Sequence, residues 1–243
     1  MSDALRMWIE VVFNVSYLIV VWTMVAVMVR RMDRVAPAQR ELAMRVMQAF
    51  ALLALGDTGH VGFRVVAYAT SGLTTSVELF GMRPTLVGLG ALATATTVTI
   101  FYVLMLEAWR LRFQRQFGWF EFALIGAASV RLAMMTLPIN DWGAVEPPQP
   151  WGIYRNLPLM LQGLGLAYLV LRDATAAQDR TFSGIGVAIL VSYACYIPVI
   201  LFAAQIPLLG MLMIPKTLAY LVIGWLAFRE LYGGAPQMRA AIA

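Results

Sequence analysis

The sequence predicts an all-α fold, a single polytopic membrane domain over residues 1–243 that forms a bundle of seven transmembrane helices. Apolar residues make up 61% of the chain and charged residues only 13%, and the mean hydropathy is +0.76. Soluble domains are about half apolar and a quarter charged. Apolar runs also recur along the whole chain, each close to the roughly 20 residues that cross a bilayer. We therefore expect no independent soluble domain.

Seven segments have the length and composition of membrane-spanning helices, and short loops separate them. The first follows Asp3 and Arg6. Its apolar run is too long for the core of a cleaved signal peptide, so we interpret it as a membrane helix. The predicted spans cover about residues 7–30, 41–71, 86–112, 118–138, 152–172, 182–204 and 208–231.

Arginines in the loops predict the orientation. They concentrate in the first and third loops, at Arg30, Arg31, Arg34, Arg40, Arg110, Arg112 and Arg115. The fourth loop carries acidic residues and no basic one. Because basic loops stay in the cytoplasm, we expect the N-terminus outside and the C-terminus inside. The net charge of +5 is then a topology signal, and we expect no nucleic-acid partner.

The second helix carries the densest set of charges. Asp57, His60 and Arg64 are spaced at i, i+3 and i+7, which places them on one face of a helix. A charged side chain at this depth costs several kcal/mol, so such residues are functional candidates by default. A strip of small residues that would let a neighbouring helix approach closely consists of Gly56, Gly59 and Gly62.

Polar residues of other helices fall at the same depth, judged from the helical rise of about 1.5 Å per residue. They are Glu10, Asn14, Arg131, Arg155, Asn156, Tyr193, Tyr196 and Lys216, and Tyr220 lies one turn below Lys216 on the same side. An excess of buried positive charge needs neutralisation, and an anionic ligand with arginine contacts would supply it. The predicted ligand-binding residues are Arg64, Arg131, Arg155, Asn156, Lys216, Tyr193, Tyr196 and Tyr220.

Other interpretations of the same residues stay open. Asp57 could pair with Lys216 or Arg131 and only fix the packing of the helices. In an enzyme that hydrolyses or isomerises lipids, Asp57 and His60 would act as acid and base. His60 and Cys195 are the only residues of their types, so no multi-histidine or multi-cysteine metal site is expected.

The remaining polar residues receive structural interpretations. Glu107 and Glu121 lie near the arginines of the third loop, which favours an ion-pair cluster at the inner surface. The third-helix threonines at positions 94, 96, 97 and 99 can bond to their own backbone and need no further role. Pro215 is expected to kink or loosen the last helix next to Lys216.

The seven-helix layout with Lys216 in the last helix resembles the microbial rhodopsins, in which such a lysine binds retinal. That resemblance implies retinal on Lys216. The family usually has an aspartate four residues earlier, where this chain has Leu212, and acids on the third helix, where this chain has none before Glu107. Asp57 would have to supply the counterion. We therefore predict no cofactor and keep a retinal photoreceptor or proton pump as an alternative.

Two motifs resemble those of a family of bacterial seven-helix membrane proteins of unassigned function. They are Gly-Asp-x-x-His-x-x-x-Arg, at residues 56–64, and Arg-Asn-x-Pro, at residues 155–158. The resemblance implies a place in the bacterial cytoplasmic membrane and brings no known activity.

The sequence thus predicts a sensor or receptor-like membrane protein that binds an amphiphile with an anionic group in its outer half. Its expected partners are membrane lipids and this small molecule. No particular cytoplasmic partner is indicated.

Overall fold

The computed structural model describes residues 3–79, 81–145 and 147–233, apart from the side chains of residues 3–10. This part of the chain is helical, without any strand, which confirms the predicted all-α class. The α-helices are α1 (Asp3–Arg31), α2 (Arg40–Ala69), α3 (Leu86–Phe113), α4 (Trp119–Met135), α5 (Trp151–Tyr154), α6 (Leu157–Ala176), α7 (Arg180–Phe202) and α8 (Met213–Tyr232).

Five helical segments of the described chain are long and apolar enough to cross a membrane. They are Val11–Arg34, Pro37–Ala69, Leu86–Phe113, Arg180–Phe202 and Pro207–Tyr232. Helix α4 has only 17 residues, fewer than the roughly 20 that span a bilayer, and α6 does not meet the same criteria. Seven crossings and the orientation of the termini therefore stay predictions.

The long helices form a closed ring. Each packs on the next in the order α1, α2, α3, α4, α6, α7 and α8, and α8 returns to α1. Helix α3 also contacts α6 across the ring. The centre is filled by apolar and aromatic side chains that include Phe50, Phe101 and Leu106, all at most 2% exposed. The dispersion contacts among such closely packed side chains are individually small and collectively large, and they favour packing of the helices.

The predicted fifth span is broken, which corrects the sequence interpretation. Helix α5 ends at Tyr154 and α6 begins at Leu157, so Arg155 and Asn156 form a connection between them. Pro158 lies in the first turn of α6, and a proline cannot continue a helix from the preceding turn because it lacks an N–H. At this connection the carbonyl of Arg155 accepts a hydrogen bond from Nε of Arg131 on α4.

The predicted seventh span also begins differently. Residues Pro207–Leu212 form a 3₁₀ segment, and α8 starts at Met213. Pro215 therefore lies in the first turn of α8, where a missing N–H costs little. Pro215 therefore does not kink α8 next to Lys216, contrary to the prediction, because the helix begins only two residues before this proline.

Two of the three glycines in the predicted strip bring α2 against α3. A Cβ atom on Gly56 would collide with the side chain of Thr97, and one on Gly59 would lie 3.2 Å from the Cβ of Ala93. A Cβ on Gly62 would meet no atom within 4 Å. The close approach therefore depends on Gly56 and Gly59, and Gly62 takes no part in it.

The end of the bundle at which α2, α4 and α7 begin, called here the ion-paired end, carries a cluster of ion pairs. The pairs are Glu107–Arg110, Arg112–Asp179 at 2.8 Å, and Arg112–Glu230, Arg115–Asp173 and Arg172–Asp173, each at 2.9 Å. Glu121 does not belong to this cluster, contrary to the prediction. It accepts a hydrogen bond from the backbone N–H of Gly118 at 2.8 Å and caps its own helix.

Candidate functional site

A cavity of about 560 Å³ opens at the other end of the bundle, where α1, α3, α6 and α8 begin. All seven long helices contribute to its wall. Its polar lining includes every predicted site residue except Tyr193, namely Asp57, His60, Arg64, Arg131, Arg155, Asn156, Tyr196, Lys216 and Tyr220. Its apolar lining includes Phe13, Leu53, Val61, Val98, Leu159, Met211, Met213 and Ile214. The cavity thus has both charged and apolar walls.

Arg131 is the most deeply buried cation of the cavity, with 2% of the residue exposed. Its Nη1 donates to the carbonyl of Ala95 at 2.9 Å and to the hydroxyl of Thr99 at 2.6 Å. Its Nε donates to the carbonyl of Arg155 at 3.2 Å, and its Nη2 donates to Oδ1 of Asn156 at 3.0 Å. Every one of these acceptors is neutral, so the positive charge is held in place without being compensated.

Arg155 lies on the connection between α5 and α6, at the rim of the cavity. Its guanidinium carbon is 4.8 Å from the ring centroid of Trp142, and its Nη1 donates to Oδ1 of Asn140 at 3.3 Å. A cation over an aromatic face is attracted by the ring quadrupole. This arginine also has only neutral partners.

Lys216 projects from the first turn of α8 between two tyrosines. Its Nζ is 4.6 Å from the ring centroid of Tyr196 and 5.4 Å from that of Tyr220. The hydroxyl of Tyr220 is 2.8 Å from that of Tyr102. The ammonium group has no hydrogen-bond partner among the described residues, so its three donors are available to a ligand.

Asp57 is the only carboxylate that lines the cavity in the described structure. Its Oδ2 accepts from the hydroxyl of Tyr17 at 2.9 Å, and its Oδ1 accepts from that of Thr94 at 2.9 Å. Both partners are neutral. Neither Lys216 nor Arg131 forms an ion pair with it, although the purely structural interpretation required such a pair.

His60 and Arg64 face the cavity from α2 with free nitrogen atoms. The buried Nδ1 of His60 and the buried Nε of Arg64 have no hydrogen-bond partner in the described structure. A small crevice of about 20 Å³ between α1 and α2 shares Asn14, His60, Arg64 and Tyr68 with the cavity. The crevice therefore lies beside the cavity and shares part of its wall.

The charges of the cavity do not balance. Arg64, Arg131, Arg155 and Lys216 face the single carboxylate of Asp57. Within the described residues, no carboxylate oxygen lies within 4.0 Å of a nitrogen of these four side chains. The side chain of Glu10, which was predicted near the rim, lies outside the described part. At the ion-paired end of the same bundle, by contrast, Arg110, Arg112, Arg115 and Arg172 each have an acidic partner.

The sequence interpretation missed three residues of the site and misplaced a fourth. Tyr17 and Thr94 bind Asp57, and Thr99 binds Arg131, so two of the threonines do more than bond to their own backbone. Thr97 behaves as predicted and donates to the carbonyl of Ala93 at 3.0 Å. Tyr193 lies behind the cavity wall, 2% exposed, and donates to the carbonyl of Leu159 at 2.8 Å.

The described residues contain no group of three or more histidine, cysteine or carboxylate side chains that could hold a metal ion. Comparisons with protein-family models, with curated proteins and with solved structures give no match. The cavity is therefore the feature of this chain that indicates its function.

Proposed function

We propose that this chain is an integral membrane protein that crosses the bilayer seven times and places the cavity in the outer half. Five segments have the required length and hydropathy, and α4 and α6 complete the ring that these segments form. Large apolar residues point outward, among them Ile19, Leu55 and Trp225, which are 63%, 56% and 58% exposed. Lipid would cover this surface. The arginines of the ion-paired end favour the cytoplasmic side for it.

The proposed function is binding of an amphiphile that carries an anionic group, as a sensor or receptor-like protein. The observation that carries this proposal is the set of four cationic side chains that face the cavity without an acidic partner among the side chains that the structure describes. Leaving a charge unpaired away from water is costly. A carboxylate or phosphate would satisfy these cations through charge-assisted hydrogen bonds, which are about twice as strong as neutral ones.

The apolar part of such a ligand has a place as well. Apolar side chains from α1, α2, α3, α6 and α8 form much of the wall, and they would contact the hydrocarbon part of the ligand inside the cavity. Beyond the cavity, the core is closed by Phe50, Phe101 and Leu106. This packing supports binding in preference to transport, because a transport path would need polar residues that continue to the other end.

Native mass spectrometry with lipid analysis, on protein purified gently from its own membrane, tests the proposal. We expect an anionic amphiphile to copurify with the unaltered protein and to be lost in Arg155→Met and Lys216→Met. Arg83→Gln serves as the matched control, since Arg83 is 79% exposed, outside the cavity, and paired with Glu78. Failure to retain any species, with equal stability of all variants, would contradict the proposal.

The enzyme alternative uses the same cavity and has one observation in its favour. The Nδ1 atom of His60 is free to take or give a proton. However, Asp57 bonds Tyr17 and Thr94 and makes no hydrogen bond to His60 in this structure, so the two residues do not form an acid–base pair here. If a lipid reaction occurs, His60→Gln should abolish product formation and spare ligand affinity. If turnover is unchanged, His60 is not the catalytic group.

A further inference from the structure

We infer that the anionic group of the ligand is a phosphate monoester, which carries close to two negative charges, and that a carboxylate or a phosphodiester is a poorer fit. This inference rests on the proposed function and specifies the chemical class of ligand for the same cavity.

The charge balance of the cavity is the first argument. Among the described residues, four cationic side chains and one carboxylate line it, which leaves an excess of three positive charges within this part of the chain. A carboxylate or a phosphodiester neutralises one of them. A phosphate monoester carries about −1.5 to −2 at neutral pH because its second pKa is near 6. It therefore removes most of the excess.

The geometry of the donors is the second argument. They come from separate directions: Arg64 from α2, Arg131 from α4, Arg155 from the α5–α6 connection and Lys216 from α8. The four hydrogen bonds of Arg131 use four of its five N–H donors, so one remains. Lys216 keeps three donors, and the guanidinium of Arg64 makes no hydrogen bond to the described residues. A tetrahedral group with three terminal oxygens can accept from more directions than a planar carboxylate, which has only two oxygens.

A matched set of ligands tests the inference in lipid nanodiscs by isothermal titration calorimetry. The set consists of decyl phosphate, its methyl diester, decanoate and inorganic phosphate. At pH 7.5 we expect decyl phosphate to bind at least about tenfold more tightly than its diester, because one additional charge-assisted contact has about this effect. Equal affinity of the diester or of decanoate would overturn the inference while leaving the proposed function intact.

The pH dependence gives a second readout. Between pH 7.5 and 5.5 the dianionic fraction of a monoester with a pKa near 6 falls about fourfold, so its affinity should fall by about that factor. The affinity of the diester should stay constant. A monoester affinity that is unchanged, or that rises, would contradict recognition of the dianion.

The contribution of His60 must be separated from that of the ligand, since histidine is the side chain type that ordinarily changes charge between pH 5 and 8. Several titratable or charged groups of the described structure face the site. They are Tyr17 on α1, Asp57, His60, Arg64 and Tyr68 on α2, Arg131 on α4, Arg155 on the connection, Tyr196 on α7, and Lys216 and Tyr220 on α8; α3 contributes only the uncharged Thr94 among its polar side chains. In His60→Gln the fourfold change should persist. Its disappearance would assign the pH dependence to the protein and overturn this argument.

Variants and the remaining ligand distinguish this inference from the function on which it rests. Lys216→Met should reduce the preference for the monoester over the diester to a few-fold, and Arg83→Gln should leave it unchanged. Inorganic phosphate should bind at least tenfold more weakly than decyl phosphate if the chain contributes. Equal affinities for inorganic phosphate and decyl phosphate would support recognition of the phosphate group but would overturn the proposal that the ligand is an amphiphile. If none of the four ligands binds, the proposed function fails.

Discussion

Nη2 of Arg131 donates a hydrogen bond to Oδ1 of Asn156 at 3.0 Å and so joins α4 to the connection that precedes α6. Oδ1 of Asn156 also accepts a hydrogen bond from the hydroxyl of Tyr196 at 3.2 Å. Nδ2 of Asn156 donates to the carbonyl of Gly152 at 2.8 Å. Asn156 therefore links the buried guanidinium to α5 and α7. Asn156 can make these contacts from the connection between α5 and α6, just before Pro158.

Replacing Arg131 by lysine tests whether the guanidinium geometry matters beyond its charge. An ammonium group cannot reach the carbonyls of Ala95 and Arg155 and the side chain of Asn156 from one position, because it lacks the planar fork. We expect the free energy of unfolding to fall by about 1–3 kcal/mol, measured in detergent without ligand. Arg83→Lys, at an exposed site, should change nothing. Equal stability of Arg131→Lys and the unaltered protein would show that charge alone suffices.

Removing the carboxylate of Asp57 should strengthen anion binding. Asp57→Asn takes away the one negative charge that the described residues contribute to the cavity wall, so we expect the affinity for decyl phosphate to rise about 3- to 10-fold. Tyr17→Phe removes a hydrogen bond to Asp57 but keeps the charge, and it should bring no such gain. Calorimetry on both variants checks the prediction. Weaker binding by Asp57→Asn would mean that the carboxylate contacts the ligand directly.

Much of the site could be predicted because a membrane helix fixes both depth and direction. The spacing of Asp57, His60 and Arg64 determines a shared face, and helices of alternating direction bring residues from different parts of the sequence to one level. Lys216 and Arg131 could be assigned to the level of Asp57 in this way. Helix boundaries followed from hydropathy to within a few residues, except near the prolines.

Contacts between helices could not be predicted in the same way. Depth along a helix leaves its rotation and its neighbours undetermined, so nothing in the sequence indicated that Tyr17 and Thr94 would bind Asp57. The same uncertainty placed Tyr193 in the site, although its ring lies behind the wall. Pro158 is visible in the sequence, but the use of the carbonyl of Arg155 by Arg131 depends on α4 being adjacent.

The two glycines Gly56 and Gly62 should respond in opposite ways to alanine. A methyl group at Gly56 would collide with Thr97 and lie 3.2 Å from the backbone of Thr94, so α2 and α3 would have to separate. We expect a loss of about 1–3 kcal/mol in the free energy of unfolding. Gly62→Ala meets open space and should gain up to about 1 kcal/mol from helix propensity. Similar effects of both changes in thermal unfolding would contradict the observed packing.

The ion-paired end should contribute to stability without affecting the ligand. Asp173 is 3% exposed and accepts hydrogen bonds from Trp109 at 3.0 Å, Arg115 at 2.9 Å and Arg172. Arg115 and Arg172 are about half exposed, so solvent screens part of their attraction to Asp173. We therefore expect Asp173→Asn to lower the free energy of unfolding by only about 1–3 kcal/mol. The affinity for decyl phosphate should stay the same. A change in that affinity would reveal coupling between the two ends of the bundle.

Addition of all-trans retinal should produce no visible absorption band with the purified protein. A protonated Schiff base on Lys216 would need a counterion, but no described carboxylate lies within 4.0 Å of its Nζ, and Asp57 is bonded to Tyr17 and Thr94. The measurement is a spectrum of the unaltered protein and of Lys216→Ala, each with and without retinal. A band that Lys216→Ala abolishes would establish the retinal alternative and remove Lys216 from the proposed anion site. A band present in both proteins would be nonspecific and would leave Lys216 to the anion.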